Sequence, residues 1–301
     1  MERGADLPFV SVIIPVYNDA VRLRRCLEAL AAQTYPQGRY EVVVIDNGSS
    51  DDVAAAIAGL PFVRLGAEPS PGSYAARNAG LALARGELLA FTDSDCVPEP
   101  DWIAAGVARL LATPGCGLVA GAVTLFCAGP RPTAVELYEC LNAFPQREYV
   151  ERDHYGATAN LFTWRAVMER VGPFNAALTS GGDREWGQRV YAAGLPLVYA
   201  DEVRVRHPAR RSFGELAAKI ARVTNGIERL RARQPGSFRP FAKALVKDLL
   251  PPLPKLGRIW TDRRLGGAAT RVQVAGVLIG LRYARAWARV RARAGALGHL
   301  R

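Results

Sequence analysis

The chain has 301 residues, half of them hydrophobic, and its 39 Lys+Arg against 28 Asp+Glu give a formal net charge of +11. That much apolar material buries a substantial core, which excludes wholesale disorder and a disulfide-stapled mini-protein. The charge is unevenly divided: residues 1–202 carry a net of −8 and residues 203–301 a net of +19, so an acidic two-thirds joins a strongly basic tail.

In chain order, the run 9–14 predicts a strand and 20–33 an amphipathic helix with Leu23, Cys26, Leu27 and Leu30 on one face. A β-branched strand at 40–45 ends in the turn formers Asp46-Asn47-Gly48-Ser49-Ser50. A helix over 51–58, a short strand at 62–65 and a helix over 73–84 follow, with Gly86 expected to stop the last in a left-handed conformation. The run 87–92 is the fourth strand. Strands alternating with helices predict an α/β fold with a mostly parallel sheet covered on both faces, and ligands then bind beyond the carboxyl ends of the strands. Further on, 118–126 predicts a strand, 133–141, 163–171 and 183–193 predict helices, and 197–200 and 203–205 predict short strands. The tail predicts a long amphipathic helix over 212–233, with Leu230 among its apolar positions, then a break at Pro251, Pro252 and Pro254. A helix over 268–294 closes it, apolar nearly all round in its middle.

The five cysteines are widely spaced with no CxxC pair, which argues against a zinc ribbon or a disulfide framework and fits a reducing, cytoplasmic compartment. The residues before Phe9 lack the pattern of a secretory leader. No apolar run reaches the ~20 residues of a membrane span, the nearest being 274–281. The expectation is a soluble or peripheral protein.

The sharpest chemical feature is Asp93-Ser94-Asp95 after a buried strand. In an extended segment residues two apart point the same way, so both carboxylates can face one site. Hard oxygen ligands suit Mg²⁺ or Mn²⁺, although a plain turn also explains these residues.

The run Val10-Ser11-Val12-Ile13-Ile14-Pro15-Val16-Tyr17-Asn18 resembles the opening strand of the family 2 glycosyltransferases of GT-A fold. Residues 40–52 are similar to their second strand and nucleotide-binding turn. Ala75-Ala76-Arg77-Asn78-Ala79-Gly80 with Arg85-Gly86-Glu87 is similar to their next helix, and 89–95 to the strand entering their DxD motif. The series covers roughly residues 9–205 in the family's order. The resemblance implies a GT-A domain over 1–210, its nucleotide-binding half about 1–100 and its acceptor half about 101–210, followed by a basic helical region over 211–301.

It further implies an inverting enzyme that uses a nucleotide-sugar and a divalent metal, Mn²⁺ or Mg²⁺. Asp95 would ligate the metal, and Asp93 would touch metal and ribose with Ser94 beside it on the donor. Asp46 would hold the base, uracil, in a pocket lined by Pro15, Tyr17 and Asn18; Arg77 and Asn78 would steady ribose or pyrophosphate. Asp183 matches the family's base, which takes the acceptor's proton, while Gly182 replaces the family's usual Glu. An Asp at a helix start also reads as an N-cap. His207, after the strand 203–205, is a candidate third metal ligand or a surface residue among arginines; His154 and His299 carry no signal. Trp186 and Trp102 are candidate acceptor contacts. Gln188-Arg189 is not the processive synthases' Gln-x-x-Arg-Trp, which favours transfer of one sugar per encounter.

The expected partners are a nucleotide-sugar and a glycan or lipid-linked cell-envelope acceptor. The tail offers an anionic membrane surface, through Trp260, Tyr283 and Trp287, or a helical cover on the acceptor side. No nucleic-acid module accompanies it. A non-catalytic interaction protein and a sugar-phosphate nucleotidyltransferase remain alternatives; the first would be expected to lose the four carboxylates, and the second would need a Gly-rich activating loop that 15–25 lacks. The oligomeric state is left open.

Overall fold

A computed structural model describes residues 7–142, 144–232, 236 and 238–298. The expectations placed on residues 1–6, Arg233 and His299, and on the Leu230 side chain, lie outside the described residues. Two compact units emerge: Met1–Thr124 with Phe144–His207, and Leu125–Ala143 with Pro208–Arg301.

The first unit is an α/β layer of GT-A type. Its strands are β1 (Val10–Val16), β2 (Tyr40–Asp46), β3 (Val63–Ala67), β4 (Leu88–Thr92), β5 (Val97–Pro98), β6 (Leu118–Phe126), β7 (Asn160–Trp164) and β8 (Leu197–Pro208). Its helices are α1 (Ala20–Ala31), α2 (Val53–Ile57), α3 (Ser73–Leu83), α4 (Trp102–Leu111), α6 (Gln146–Asp153), α7 (Arg165–Val171) and α8 (Gly182–Ala192). Helix α5 (Ala134–Asn142) falls in the second unit.

The sheet order is β3-β2-β1-β4-β7-β6-β8-β5. The first four strands are parallel, because a crossover helix follows each of β1, β2 and β3. Beyond them β7 inserts antiparallel beside β4, with Thr92 opposite Asn160, and β6 pairs antiparallel with β7. Both faces are covered, so β1 and β2 are apolar without alternation. On one face Val12, Ile14, Val42 and Val44 pack under Leu23, Leu27 and Trp102; on the other Ile13, Val43, Ile45 and Phe91 pack under Tyr74, Ala76 and Trp186.

Three local expectations change. Gly86 does not stop α3 in a left-handed conformation: α3 ends with Ala84 extended, and Gly86 is absent from the positive-φ glycines. It is glycine because a Cβ there would lie 2.5 Å from the Ser11 amide nitrogen and 2.8 Å from the Phe9 carbonyl oxygen. The stretch 160–164 is strand β7, so the helix expected from 163 begins at Arg165. The two short strands after 197 are the single strand β8, in which Val203, Val205 and His207 point inward between outward Arg204 and Arg206.

A buried carboxylate ties the α3–β4 connection to the sheet. Glu41 accepts from the Ser11 hydroxyl at 2.7 Å, the Arg85 amide at 2.7 Å and the Arg85 and Arg64 guanidinium groups. Burial alone would raise its pKa, but these donors hold it below the usual range.

The second unit is helical: α5, α9 (Phe213–Ala232), α10 (Phe238–Leu249), α11 (Leu253–Thr261) and α12 (Ala268–Gly298). Val135, Tyr138, Leu216, Ile259, Val274 and Leu278 form its core. Arg289 of α12 is buried between Glu228 of α9 and Asp248 of α10.

Candidate active site

The polar residues gather at the carboxyl ends of β1, β2 and β4, where strand ends face solvent and helix N-termini begin. Val16 lies opposite Asp46 in the β1–β2 register. Asp46 accepts the Ser49 amide at 2.9 Å, closing the Asx turn that the local sequence also allowed, and stays partly exposed. Tyr17, 64% exposed, and the partly exposed Pro15 stand on either side of Val16 in the chain. Asn18, in a left-handed conformation (φ 50°), has a loop-binding role: its side chain accepts the Ser50 amide at 2.7 Å, and its own amide donates to Ser49 Oγ. Asp51 from the same loop accepts the Ala20 amide at 2.7 Å and so caps α1.

After β4 the chain turns at Ser94-Asp95, and the two carboxylates take different partners. Asp93 takes the Arg77 guanidinium of α3 at 2.5 Å. Asp95 Oδ2 lies 3.4 Å from His207 Nε2, which β8 brings back from far along the sequence and buries. Burial raises the Asp95 pKa, with Asp93 and Asp19 adding and His207 and Arg22 opposing. Ser94 donates its hydroxyl to Asp19 at 2.8 Å, and Asp19 in turn holds Arg22 at 2.6 Å. Ser94 therefore anchors this loop on α1. Asp19 and Arg22 were not anticipated; Arg22 reaches 4.0 Å from Asp95, and an Asp with an Arg three residues on at a helix start was the available signal.

Asp95, Cys96 and His207 bring one donor atom each within 4.8 Å of one another. Cys96 is buried, and burial foremost, then Asp93 and Asp95, pushes its thiol far above the ordinary range. The remaining carboxylate and imidazole donors, with Asp93 adjacent, fit a hard divalent cation such as Mn²⁺ or Mg²⁺.

The fourth carboxylate comes to the same place. Asp183 sits at the second position of α8, whose N-cap is Gly181, so it is not itself the cap. It accepts the Tyr74 hydroxyl at 3.2 Å and the Arg184 amide at 2.9 Å. Tyr74 and Arg77 are three residues apart on α3, so one helix face holds Asp183 with one side chain and Asp93 with the other. Burial raises the Asp183 pKa, with Asp93 adding; the Arg184 amide, Arg77 and the Tyr74 hydroxyl pull it down. Tyr74 also explains Gly182: a Cβ there would lie 2.8 Å from the Tyr74 ring, leaving no room for the family's Glu.

Other expectations are corrected. Trp102 and Trp186 are fully buried and present no surface to an acceptor. Trp102 donates to Asn160 Oδ1 at 2.8 Å, and Trp186 to the Gly172 carbonyl at 3.0 Å. Asn78 clamps Phe174 through both ends of its amide, donating at 2.8 Å and accepting at 3.1 Å, and so braces the loop before α8.

The family model for glycosyl transferase family 2 matches residues 11–170. Glycosyltransferase AglE of Haloferax volcanii is 39% identical over 288 residues, 91% of this chain and 91% of its own. The pre-mycofactocin glycosyltransferase of Mycobacterium tuberculosis is 30% identical over 245 residues, 77% of this chain, and this match spans 49% of the relative's length. Among solved structures, the mannosyltransferase PcManGT of Pyrobaculum calidifontis, in complex with GDP-Man and Mn²⁺, superposes with a TM-score of 0.60 at 22% identity. That match covers 98% of this chain and 75% of the other, and shows a shared fold.

Proposed function

The chain belongs to glycosyl transferase family 2, and from that premise we propose that it moves one sugar from a nucleotide-diphosphate donor, UDP-linked, to a hydroxyl of a glycan or lipid-linked cell-envelope acceptor, with inversion. The observation that carries the reading is the single face of α3 on which Tyr74 holds Asp183 and Arg77 holds Asp93. An inverting displacement needs an acceptor-side base as well as a group on the leaving diphosphate, and a helix face that holds two separate carboxylates supports that division of roles.

In this reading the base stacks near Tyr17 and hydrogen-bonds Asp46. Asp93, Asp95 and His207 would hold a divalent cation, which when bound neutralises charge on the departing diphosphate. Arg77 has a buried Nε–H with no acceptor among the described residues, and a ribose or pyrophosphate oxygen supplies one. Asp183 accepts the acceptor's hydroxyl proton as the new glycosidic bond forms and the bond from the anomeric carbon to the diphosphate breaks. Its raised pKa suits that work, since a base is most effective when its pKa approaches the working pH. Tyr74 orients it. The setting is the cytoplasmic face of a membrane.

Calorimetric titration of the chain with UDP and with GDP, with and without Mn²⁺, tests the reading. Binding of UDP that strengthens with Mn²⁺ is expected, as is release of UDP from a UDP-sugar panel. Indifference of both nucleotides to the metal would refute the metal-assisted donor site.

A further inference from the structure

Helix α12 is apolar on two opposite sides. Val274, Leu278 and Leu281 face the helical core and are buried. Val272, Ile279, Tyr283, Trp287 and Val290 recur at helical spacing along the other side and are exposed, Trp287 at 65% and Tyr283 at 55%. A helix whose second apolar stripe meets only solvent has lost the burial that would stabilise it, and such stripes mark contact surfaces. The stripe does not end on α12. Leu249 and Leu250 at the end of α10 line a cleft of about 110 Å³ together with Ile279 and Tyr283, and Leu253 opens α11 beside them at 69% exposure. The surface therefore continues from α12 onto the α10–α11 corner.

Cations border it. Arg282 lines the same cleft, where it donates to the Leu250 carbonyl at 2.8 Å. Lys247, Lys255 and Arg258 have no carboxylate within ion-pair distance among the described residues. Burial and then the crowding of Arg285, Arg282, Lys247 and Arg258 hold the Lys255 ammonium below its ordinary pKa. Nearby Asp248 is already engaged by Arg285 and Arg289.

We propose that the exposed side of α12 and the α10–α11 corner form one surface that docks in the plane of an anionic lipid bilayer. Leu250, Leu253, Tyr283 and Trp287 enter the headgroup–acyl boundary, and Lys247, Lys255 and Arg258 hold lipid phosphates. Charge complementarity selects this occupant. A second copy of the chain would set the same unpaired cations against each other across a two-fold contact, whereas an anionic leaflet supplies both the apolar phase and the counter-charge. No helix among the described residues is long and apolar enough to cross a membrane, so the contact lies along the surface.

The inference goes beyond the catalytic reading, and its test uses no sugar donor, so the two fail separately. The full chain is floated with phosphatidylcholine vesicles, with and without phosphatidylglycerol, and tryptophan emission is followed. Binding to the phosphatidylglycerol vesicles alone is expected, with a blue shift from Trp287. Lys247→Gln and Lys255→Gln each weaken binding about fivefold, the worth of one cation near an anionic surface. Leu253→Asp and Trp287→Ser, at exposed positions that leave thermal unfolding unchanged, remove most of the binding that remains at low salt. Equal binding to both vesicles, binding to neither, or anionic binding that these variants leave intact overturns the proposal. So does self-association that Trp287→Ser abolishes.

Discussion

Replacing Asp183 by Asn separates a catalytic carboxylate from one that only holds the Arg184 amide and the Tyr74 hydroxyl. Asn keeps an oxygen for the Arg184 amide at 2.9 Å and the Tyr74 hydroxyl at 3.2 Å, so both bonds persist. The loss of negative charge in the first turn of α8 costs about 0.3–1 kcal/mol through the helix dipole, and removal of a desolvated charge offsets part of it. Net stability should therefore change by less than about 1 kcal/mol. Proton acceptance is what disappears: a positioned base contributes about 10²–10⁴-fold, or roughly 2.7–5.5 kcal/mol of barrier. The assay is initial-rate release of nucleoside diphosphate at saturating donor with acceptor present, beside urea unfolding and the donor Kd. The expected result is a turnover lower by at least about a hundredfold with Kd and unfolding midpoint nearly unchanged. A turnover within threefold of the parent, or a loss of rate explained by lost stability, would refute the assignment.

Tyr74→Phe removes a hydrogen bond that lowers the Asp183 pKa, so the ionised base becomes harder to form and the acid limb of the kcat profile moves to higher pH. A limb that stays in place shows that Tyr74 only fills space. Asp95→Ala removes a donor of the proposed cation site and is expected to abolish the Mn²⁺ enhancement of UDP binding while leaving the thermal midpoint nearly intact. Glu41→Gln replaces a buried carboxylate whose partners Arg85 and Arg64 are 66% and 39% exposed, so solvent screens much of the loss, and it should cost about 1–2 kcal/mol in urea unfolding at neutral pH. Because Glu41 has a depressed pKa in the folded protein, its contribution is present above the unfolded carboxylate pKa. It is lost as pH falls through the folded value, so parent and variant should converge in acid.

Much of the strand-end cluster was legible because its signals are local. The apolar runs of β1, β2 and β4 end in Asn18, Asp46 and Asp93-Ser94-Asp95, and turn formers directly after a buried strand announce a strand end whichever way the rest folds. The roles of individual side chains were less legible. Trp102 and Trp186 stand next to polar residues in sequence, but helix rotation turns both rings into the core. Asn78 lies in a family motif, yet its amide serves Phe174, 96 residues away. The strand β7 escaped because five residues with Thr and Trp carry too little periodicity to separate a strand from a helix start.

The amino-acid order by itself determined which segments are strands and helices in the first hundred residues, where the chain turns, and that acidic groups stand at those turns. Hydrophobic period and turn chemistry act over a few residues and need no partner. Only the tertiary structure decided that His207 comes back to Asp95, that Tyr74 takes the space beside Gly182 and meets Asp183, and that α12 keeps a second apolar side uncovered. Those outcomes depend on which faces pack together across a hundred or more residues of intervening chain, and that is a property of the folded core rather than of any segment within it.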